Sequence, residues 1–362
     1  MNGLELSRAY YETYGKPMLA EFLKEYPGLE PHIAAGLIGS GSECLGFDDE
    51  VSQDHDYEPG FCIFLPGEDI VDRRSAFLLE RAYAKLPKEF MGFTRPLMQP
   101  VGGARRGVLR TEEFLKDRVG TESAGLLIQA CTASAEASAS AAAPLDPVSA
   151  PAAEASLNSS SIPAVSPESM PISHWEWLTF NEQSLLEVTN GELFCDPSGD
   201  LTRIRQALAF YPEPIRRKKL AGHLLLMAQA GQYNYQRCIR HGESAAAQLA
   251  VFEFAKSAIS AIFLLNRRYQ PYYKWSFRAL RSLGKLSIEA ELLEFLITSG
   301  NDEEMAEEKY NVIEGIAADV IDELMAQNLT QAVCGDLEKH AYSVNDGIED
   351  GALRNLHILG AV

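Results

Sequence analysis

Basic charge, paired cysteines and long apolar runs are scarce in this sequence, and each shortage argues against a class of protein. Lys and Arg number 32 against 51 Asp and Glu, a formal net charge of −19 over 362 residues. A field of that sign repels phosphate polymers and anionic lipid surfaces, so neither nucleic acid nor a membrane is expected as a partner. A small nucleotide delivered with its metal remains compatible with it. The six cysteines (Cys44, Cys62, Cys131, Cys195, Cys238, Cys334) form no CxxC pair and no ladder with histidine. They read as reduced, mostly buried thiols and argue against zinc. No segment reaches the roughly 18 uninterrupted apolar residues of a membrane span. Met1-Asn2-Gly3-Leu4-Glu5 lacks the basic and apolar regions of a signal peptide. Cytoplasmic residence is the expectation.

Hydrophobic residues make up 46% of the chain, enough for a full core, and the length favours two domains. Leu6, Tyr10, Tyr14, Met18 and Phe22 recur at helical spacing, which predicts an amphipathic helix from Leu4 to Tyr26, bent at Pro17. Short apolar runs predict strands at 32–38 and 60–65, a helix over 69–85, and a third strand at 107–110. Between Cys131 and Pro171 the chain turns to Ala, Ser and Pro with no aromatic residue, composition suited to a flexible insertion. Beyond it, 175–180 and 192–195 read as strands flanking a helix through Leu185 and Leu186. From Leu201 the pattern is helical, with Asn301 and Glu304 as a capping start for one of the helices. The resulting fold class is α+β, a mixed sheet flanked by helices and followed by an all-α bundle. The division is 1–130, an insertion at 131–171, completion of the sheet domain at 172–200, and the bundle at 201–362.

The stretch most suggestive of chemistry is Ile38-Gly39-Ser40-Gly41-Ser42-Glu43, followed by Asp54-His55-Asp56 ahead of the second strand. A strand ending in Gly-Ser leaves a bare turn where a phosphate can approach, with Gly39, Ser40 and Ser42 as its contacts. Two aspartates at i and i+2 of extended chain share a side, so Asp54 and Asp56 are the expected magnesium ligands. Asp48, Asp49 and Glu50 read as a solvated turn, and His55 as a residue facing the other way.

These residues resemble the nucleotidyltransferase superfamily of polymerase beta and the aminoglycoside adenylyltransferases, marked by Gly-Ser, a spacer and Asp-x-Asp. Here residues 41 to 53 form the spacer. More closely, 39–50 with Asp54-His55-Asp56 and Pro59-Gly60-Phe61-Cys62 look like the bacterial family called domain of unknown function 4037, as does Asn266-Arg267-Arg268-Tyr269-Gln270-Pro271-Tyr272-Tyr273-Lys274-Trp275. The resemblance implies a nucleotidyltransferase-type sheet with a helical substrate domain. One departure is Tyr57-Glu58-Pro59-Gly60, which intervenes before the apolar strand and adds Glu58 as an extra carboxylate.

By the same resemblance a third carboxylate comes from a later strand. Glu176 is the first choice, with Glu187 and Asp196 as competitors. Glu253, inside the apolar run 251–255, is a candidate general base; an ion pair with Arg267, Arg268 or Lys256 is the alternative. Lys274 and Tyr273 are candidates for the triphosphate tail and for stacking, and Arg105 and Arg106 for phosphate. The expected activity is magnesium-dependent transfer of a nucleoside monophosphate from an NTP to a hydroxyl or amine of a small molecule or protein. The alternative is a nucleotide-sensing or partner-binding protein on the same fold without turnover.

Overall fold

The computed structural model describes residues 1–51, 58–95, 106–141 and 165–362. The chain divides into two compact units, one of residues 1–172 and 184–209, the other of 173–183 and 210–362. The boundary expected near residue 200 therefore lies at 209/210, and a short excursion at 173–183 belongs with the helical unit.

In the first unit, helix α1 (Gly3–Tyr10) starts from a capping box in which the Asn2 side chain accepts from the Glu5 amide at 2.8 Å and Glu5 returns the bond to the Asn2 amide at 2.9 Å. The single bent helix expected here is α1, a π-helical turn (Tyr11–Gly15) and α2 (Lys16–Glu25) in series. Pro17 is in the first turn of α2, where its missing N–H costs little. Gly15 is required because a Cβ there would lie 2.4 Å from the Phe61 ring.

The sheet consists of β1 (Ala34–Leu37), β2 (Cys62–Leu65), β5 (Gly107–Arg110) and β6 (Glu192–Cys195) in the order β5-β2-β1-β6, with β3 (Glu89–Phe90) and β4 (Phe93–Thr94) as a separate hairpin. β1 is antiparallel to β2 and to β6, and β2 is parallel to β5. Gly36 pairs with Cys62, Leu37 with Glu192, and Cys62 with Gly107. The end of β1 and the starts of β2, β5 and β6 consequently meet at one end of the sheet. Every residue of β1 and β2 is buried. Tyr83 locks that core: its hydroxyl donates to the Phe61 carbonyl at 2.8 Å and accepts from the Phe61 amide at 3.1 Å, and burial raises its pKa to about 12.

Helices α3 (Ser42–Leu45), α4 (Arg73–Ala84), α5 (Thr111–Val119) and α6 (Thr121–Ala141) complete the chain up to the Ala/Ser tract. The flexible insertion expected from residue 131 is helical as far as 141, since alanine extends a helix at least cost. Residues 142–164 lie outside the described residues. The strand expected at 175–180 is instead helix α7 (His174–Thr179), where a Ser173/Glu176 capping box overrides the β preference of the aromatics. The helix expected through Leu185 is α8 (Glu182–Thr189), and α9 (Asp200–Ala207) closes the first unit.

In the helical unit, α10 (Glu213–Met227) runs through a π segment (Ala228–Tyr235) into α11 (Gln236–Arg240), followed by α12 (Ser244–Leu265), α13 (Tyr273–Leu280), α14 (Glu289–Thr298), α15 (Glu303–Ala326), α16 (Leu337–Asp346) and α17 (Gly351–Asn355). Among the described residues α12 alone is long and apolar enough to cross a membrane, and 61% of its apolar window is buried within the protein. It packs on α10, α13, α14 and α15 as a core helix does. The cap of α15 is Asp302, which accepts from the Met305 amide at 3.2 Å. Asn301, expected to be that cap, accepts instead from Tyr235 Oη and Lys309 Nζ.

A carboxyl pair joins α14 to α15. Glu289 is 1% exposed, and burial, with a hydrogen bond to Asp319, raises its pKa to about 7 from 4.5. The neutral acid is the form that folding favours, so this group's stabilising contribution is full below pH 4.5 and is lost as pH rises to about 7. Glu289→Gln is expected to flatten stability against pH in that window; urea titrations at pH 5 and 8 with the same pH difference in both proteins would refute it.

Candidate functional site

The candidate site is built at the sheet end where four strand termini meet. Leaving β1, the chain bends through Gly39 (φ +121°) and Gly41 (φ +130°) before α3 starts at Ser42. Both angles lie in the region that glycine alone occupies readily. The Asn190 side chain brackets the bend, its amide nitrogen donating to the Gly39 carbonyl at 2.8 Å and its oxygen accepting from the Gly39 N–H at 3.1 Å. Arg205 fixes Asn190 in turn, donating to the carbonyls of Val188, Thr189 and Asn190. The Gly191 amide donates to the Cys44 carbonyl at 2.8 Å.

Two largely enclosed arginines, their side chains 6% and 16% exposed, flank the bend. Arg106, at the start of β5, reaches Glu43 Oε1 at 3.2 Å and Glu58 Oε1 at 3.5 Å, and it donates to the Glu58 carbonyl. The three side chains are 6%, 9% and 17% exposed, so this is a desolvated cluster with two carboxylates on one guanidinium. Gly41 permits it, because a Cβ at residue 41 would lie 2.5 Å from the Glu43 carboxylate oxygens. Arg118, from α5, pairs with Glu187 of α8 at 3.2 Å and lies 3.8 Å over the Phe114 ring. Its guanidinium would be 3.9 Å from a Cβ on Gly39. The Nε atoms of Arg106 and Arg118 are both buried without a partner. Burial raises the pKa of the nearby Cys62 thiol to about 11 and also raises that of Cys44, so neither is a nucleophile at neutral pH.

Gly39, Ser40 and Ser42 thus lie together in the expected bend, with one correction. The Gly39 amide serves Asn190 and is not open to a phosphate. Ser40 and Ser42 are half-buried. Asp54, His55, Asp56 and Arg105 lie outside the described residues. Among the described residues no three His, Cys, Asp or Glu side chains are grouped to hold a metal.

The third-carboxylate choices separate. Glu176 is on a helix and not a strand, and its carboxylate caps α7 by accepting from the Ser173 amide at 2.8 Å. Asp196 accepts from the Thr202 amide and hydroxyl at 2.7 and 2.6 Å; burial raises its pKa against those bonds. Only Glu187 joins the residues around the bend, and it does so through Arg118.

In the helical unit Glu253 is not the buried base expected of it. Its side chain is 46% exposed, with Lys256, one of the three cations named as ion-pair partners, at 3.9 Å. It falls on the solvent face of α12 because its apolar neighbour Phe252 is exposed too. Tyr273 is 74% exposed beside Tyr272, and Lys274 is exposed with its ammonium 5.0 Å from the Trp275 ring centroid.

The sequence reading missed Asn190, Arg118 and the inward turn of Glu43. Asn190-Gly191 directly before a strand was a readable turn signal. Nothing local marks Arg118 or Glu43, whose partners are distant in the chain.

Residues 177–276 match the family profile described as domain of unknown function, DUF4037. No curated protein and no solved structure matches the chain. The matched residues supply Glu187, Asn190, Arg205 and β6 to the sheet end, together with α10 to α12 and the first half of α13 in the helical unit. The glycine bend and β2 precede the matched residues.

Proposed function

We propose that the chain is a magnesium-dependent nucleotidyltransferase, moving a nucleoside monophosphate from an NTP to a hydroxyl or amine of a small-molecule or protein acceptor. The observation that carries this reading is the placement of a serine-bearing glycine bend between two largely enclosed arginines at the end of a mixed sheet. In the transfer, the acceptor oxygen or nitrogen forms a bond to the α-phosphorus, the bond to the bridging oxygen breaks, pyrophosphate leaves, and the acceptor's proton passes to solvent.

The Ser40 and Ser42 hydroxyls donate to phosphate oxygens. Arg118, and Arg106 through its unpaired Nε, balance the charge that builds on the leaving pyrophosphate. Glu43, Glu58 and Glu187 are each paired with arginine, so the metal falls to Asp54 and Asp56, whose hard oxygens suit magnesium. Bound there, magnesium supplies charge neutralisation on the triphosphate. Asp56 stands two residues before Glu58, which is anchored beside Arg106.

A rival reading, a nucleotide sensor or partner-binding protein without turnover, draws on the same anchor. Within the Tyr57-Glu58-Pro59-Gly60 departure, Glu58 and Pro59 are tied into the fold by Arg106 and by Arg95, whose Nε donates to the Pro59 carbonyl at 3.2 Å. Titration calorimetry with ATP or GTP, with and without magnesium, followed by a pyrophosphate-release assay, decides between them. Asp54→Asn with Asp56→Asn is expected to weaken magnesium-dependent triphosphate binding at least about a hundredfold, with an unchanged or higher Tm because two like charges are removed. Unaltered affinity would defeat the metal assignment. Binding without pyrophosphate release over broad acceptor panels would favour the sensor.

A further inference from the structure

The helical unit contains a basic cluster that the nucleotide reading does not use. Lys219 and His223 are one turn apart on α10, and Lys256 comes from α12, which packs against α10. The Lys219 ammonium lies 3.2 Å from the Ala361 carbonyl and 5.1 Å from the Tyr211 ring centroid. The carboxylate acting on it is Glu182, which already accepts from the Gln270 amide at 2.8 Å. Among the described residues Lys256 has a long contact to Glu253, at 3.9 Å.

His223 has its Nδ1 buried and unpartnered. Burial, then Lys219 and Lys256, hold its pKa down to about 3, so the ring is neutral at physiological pH. The described charges acting on the ring are both cationic, a local field opposite in sign to the net −19 of the chain. Lys219 and His223 are half-buried and Lys256 is exposed, so solvent reaches the cluster from one side; beneath it Tyr211 is 1% exposed with its hydroxyl unpartnered. Every one of these residues lies within the matched segment 177–276.

We propose that Lys219, His223 and Lys256 form a binding site for the phosphoryl group of a small molecule, separate from the nucleotide site. Two ammonium groups and an imidazole offer two charges and several donors from adjoining turns of two packed helices. That matches a dianion with three terminal oxygens better than a single carboxylate. A bound dianion also offsets the repulsion that Lys219 and Lys256 add to burial in disfavouring the imidazolium.

The test uses the full chain, nitrogen-15 labelled, with imidazole correlation spectra recorded during titration with inorganic phosphate and, as control, with chloride at matched ionic strength. His223→Gln identifies the resonance. The expected result is a saturable His223 shift with phosphate alone, weakened about tenfold by Lys219→Gln and by Lys256→Gln, the loss of one charge-assisted bond each. The shift should persist in the Asp54→Asn, Asp56→Asn protein, so failure of the metal assignment leaves this site standing. If Lys219→Gln does not fold, the exposed Lys256→Gln carries the test. An unresponsive His223, or a response in both lysine variants as strong as in the wild-type protein, overturns the proposal. A response abolished by Arg118→Gln and kept in the lysine variants also overturns it, placing the anion at the glycine bend.

Discussion

Replacing Arg106 with methionine is expected to cost about 3–5 kcal/mol of folding free energy, the range for removing one partner of a buried ion pair. The reason lies in what remains. Glu43 and Glu58 are 9% and 17% exposed, and without the guanidinium both lose a cationic partner in a site largely shielded from water. Charge burial of that kind is costly whatever the Coulombic worth of the original pair. The triple variant Arg106→Met, Glu43→Gln, Glu58→Gln should therefore regain most of the loss, because neutral amides carry no such penalty. Urea denaturation of the three proteins checks this. A single variant within about 1 kcal/mol of wild type, the level of an exposed pair, would show that the cluster is solvated. The triple variant also separates structure from function: under the proposed activity it recovers stability while triphosphate affinity stays reduced, since no cation replaces Arg106 beside the bend.

That cluster marks where sequence reasoning reaches and where it stops. The strands at 34–37, 62–65, 107–110 and 192–195 were readable because short apolar runs bounded by glycine or proline leave few other conformations. The bend at Gly39–Ser42 was readable because two glycines beside serine specify a bare turn. Position 176 was misread because Trp175, Trp177 and Leu178 suggest a strand, whereas Ser173 and Glu176 specify a helix start that the aromatics tolerate. Glu253 was misread for a different reason. Its neighbours along the chain are apolar, but a helix of 3.6 residues per turn turns Phe252, Glu253 and Lys256 outward while burying Val251, Phe254 and Ala255. Asn190, Arg118 and Glu43 gain their roles from partners that β pairing and helix packing bring together: Asn190 stands 151 positions from Gly39, and Arg106 stands 63 from Glu43. Separations of that size leave no local signal.

The bracket around Gly39 leads to the second large effect, at Gly191. This residue has φ +61°, and a Cβ on it would lie 2.0 Å from the Leu37 carbonyl oxygen and 3.1 Å from Ile38 Cα. Both obstacles are backbone, so no side-chain rotation relieves them, and β6 would have to move away from the end of β1. Gly191→Ala is expected to cost about 2–5 kcal/mol, the sum of left-handed strain and overpacking. Gly125→Ala provides the control, because that glycine is exposed on α6 with nothing within 4 Å of a new Cβ. It should be neutral or stabilising by up to about 1 kcal/mol. Asn190→Ala should fall between them at about 1–3 kcal/mol, the penalty for stranding the Gly39 amide and carbonyl. Since Gly191 positions Asn190 and Asn190 holds Gly39, Gly191→Ala combined with Asn190→Ala should cost less than the two separate losses added together. Strict additivity would mean that strand spacing and bend are held independently. Gly191→Ala melting with the wild-type protein would mean that β6 does not pair with β1 at Leu37.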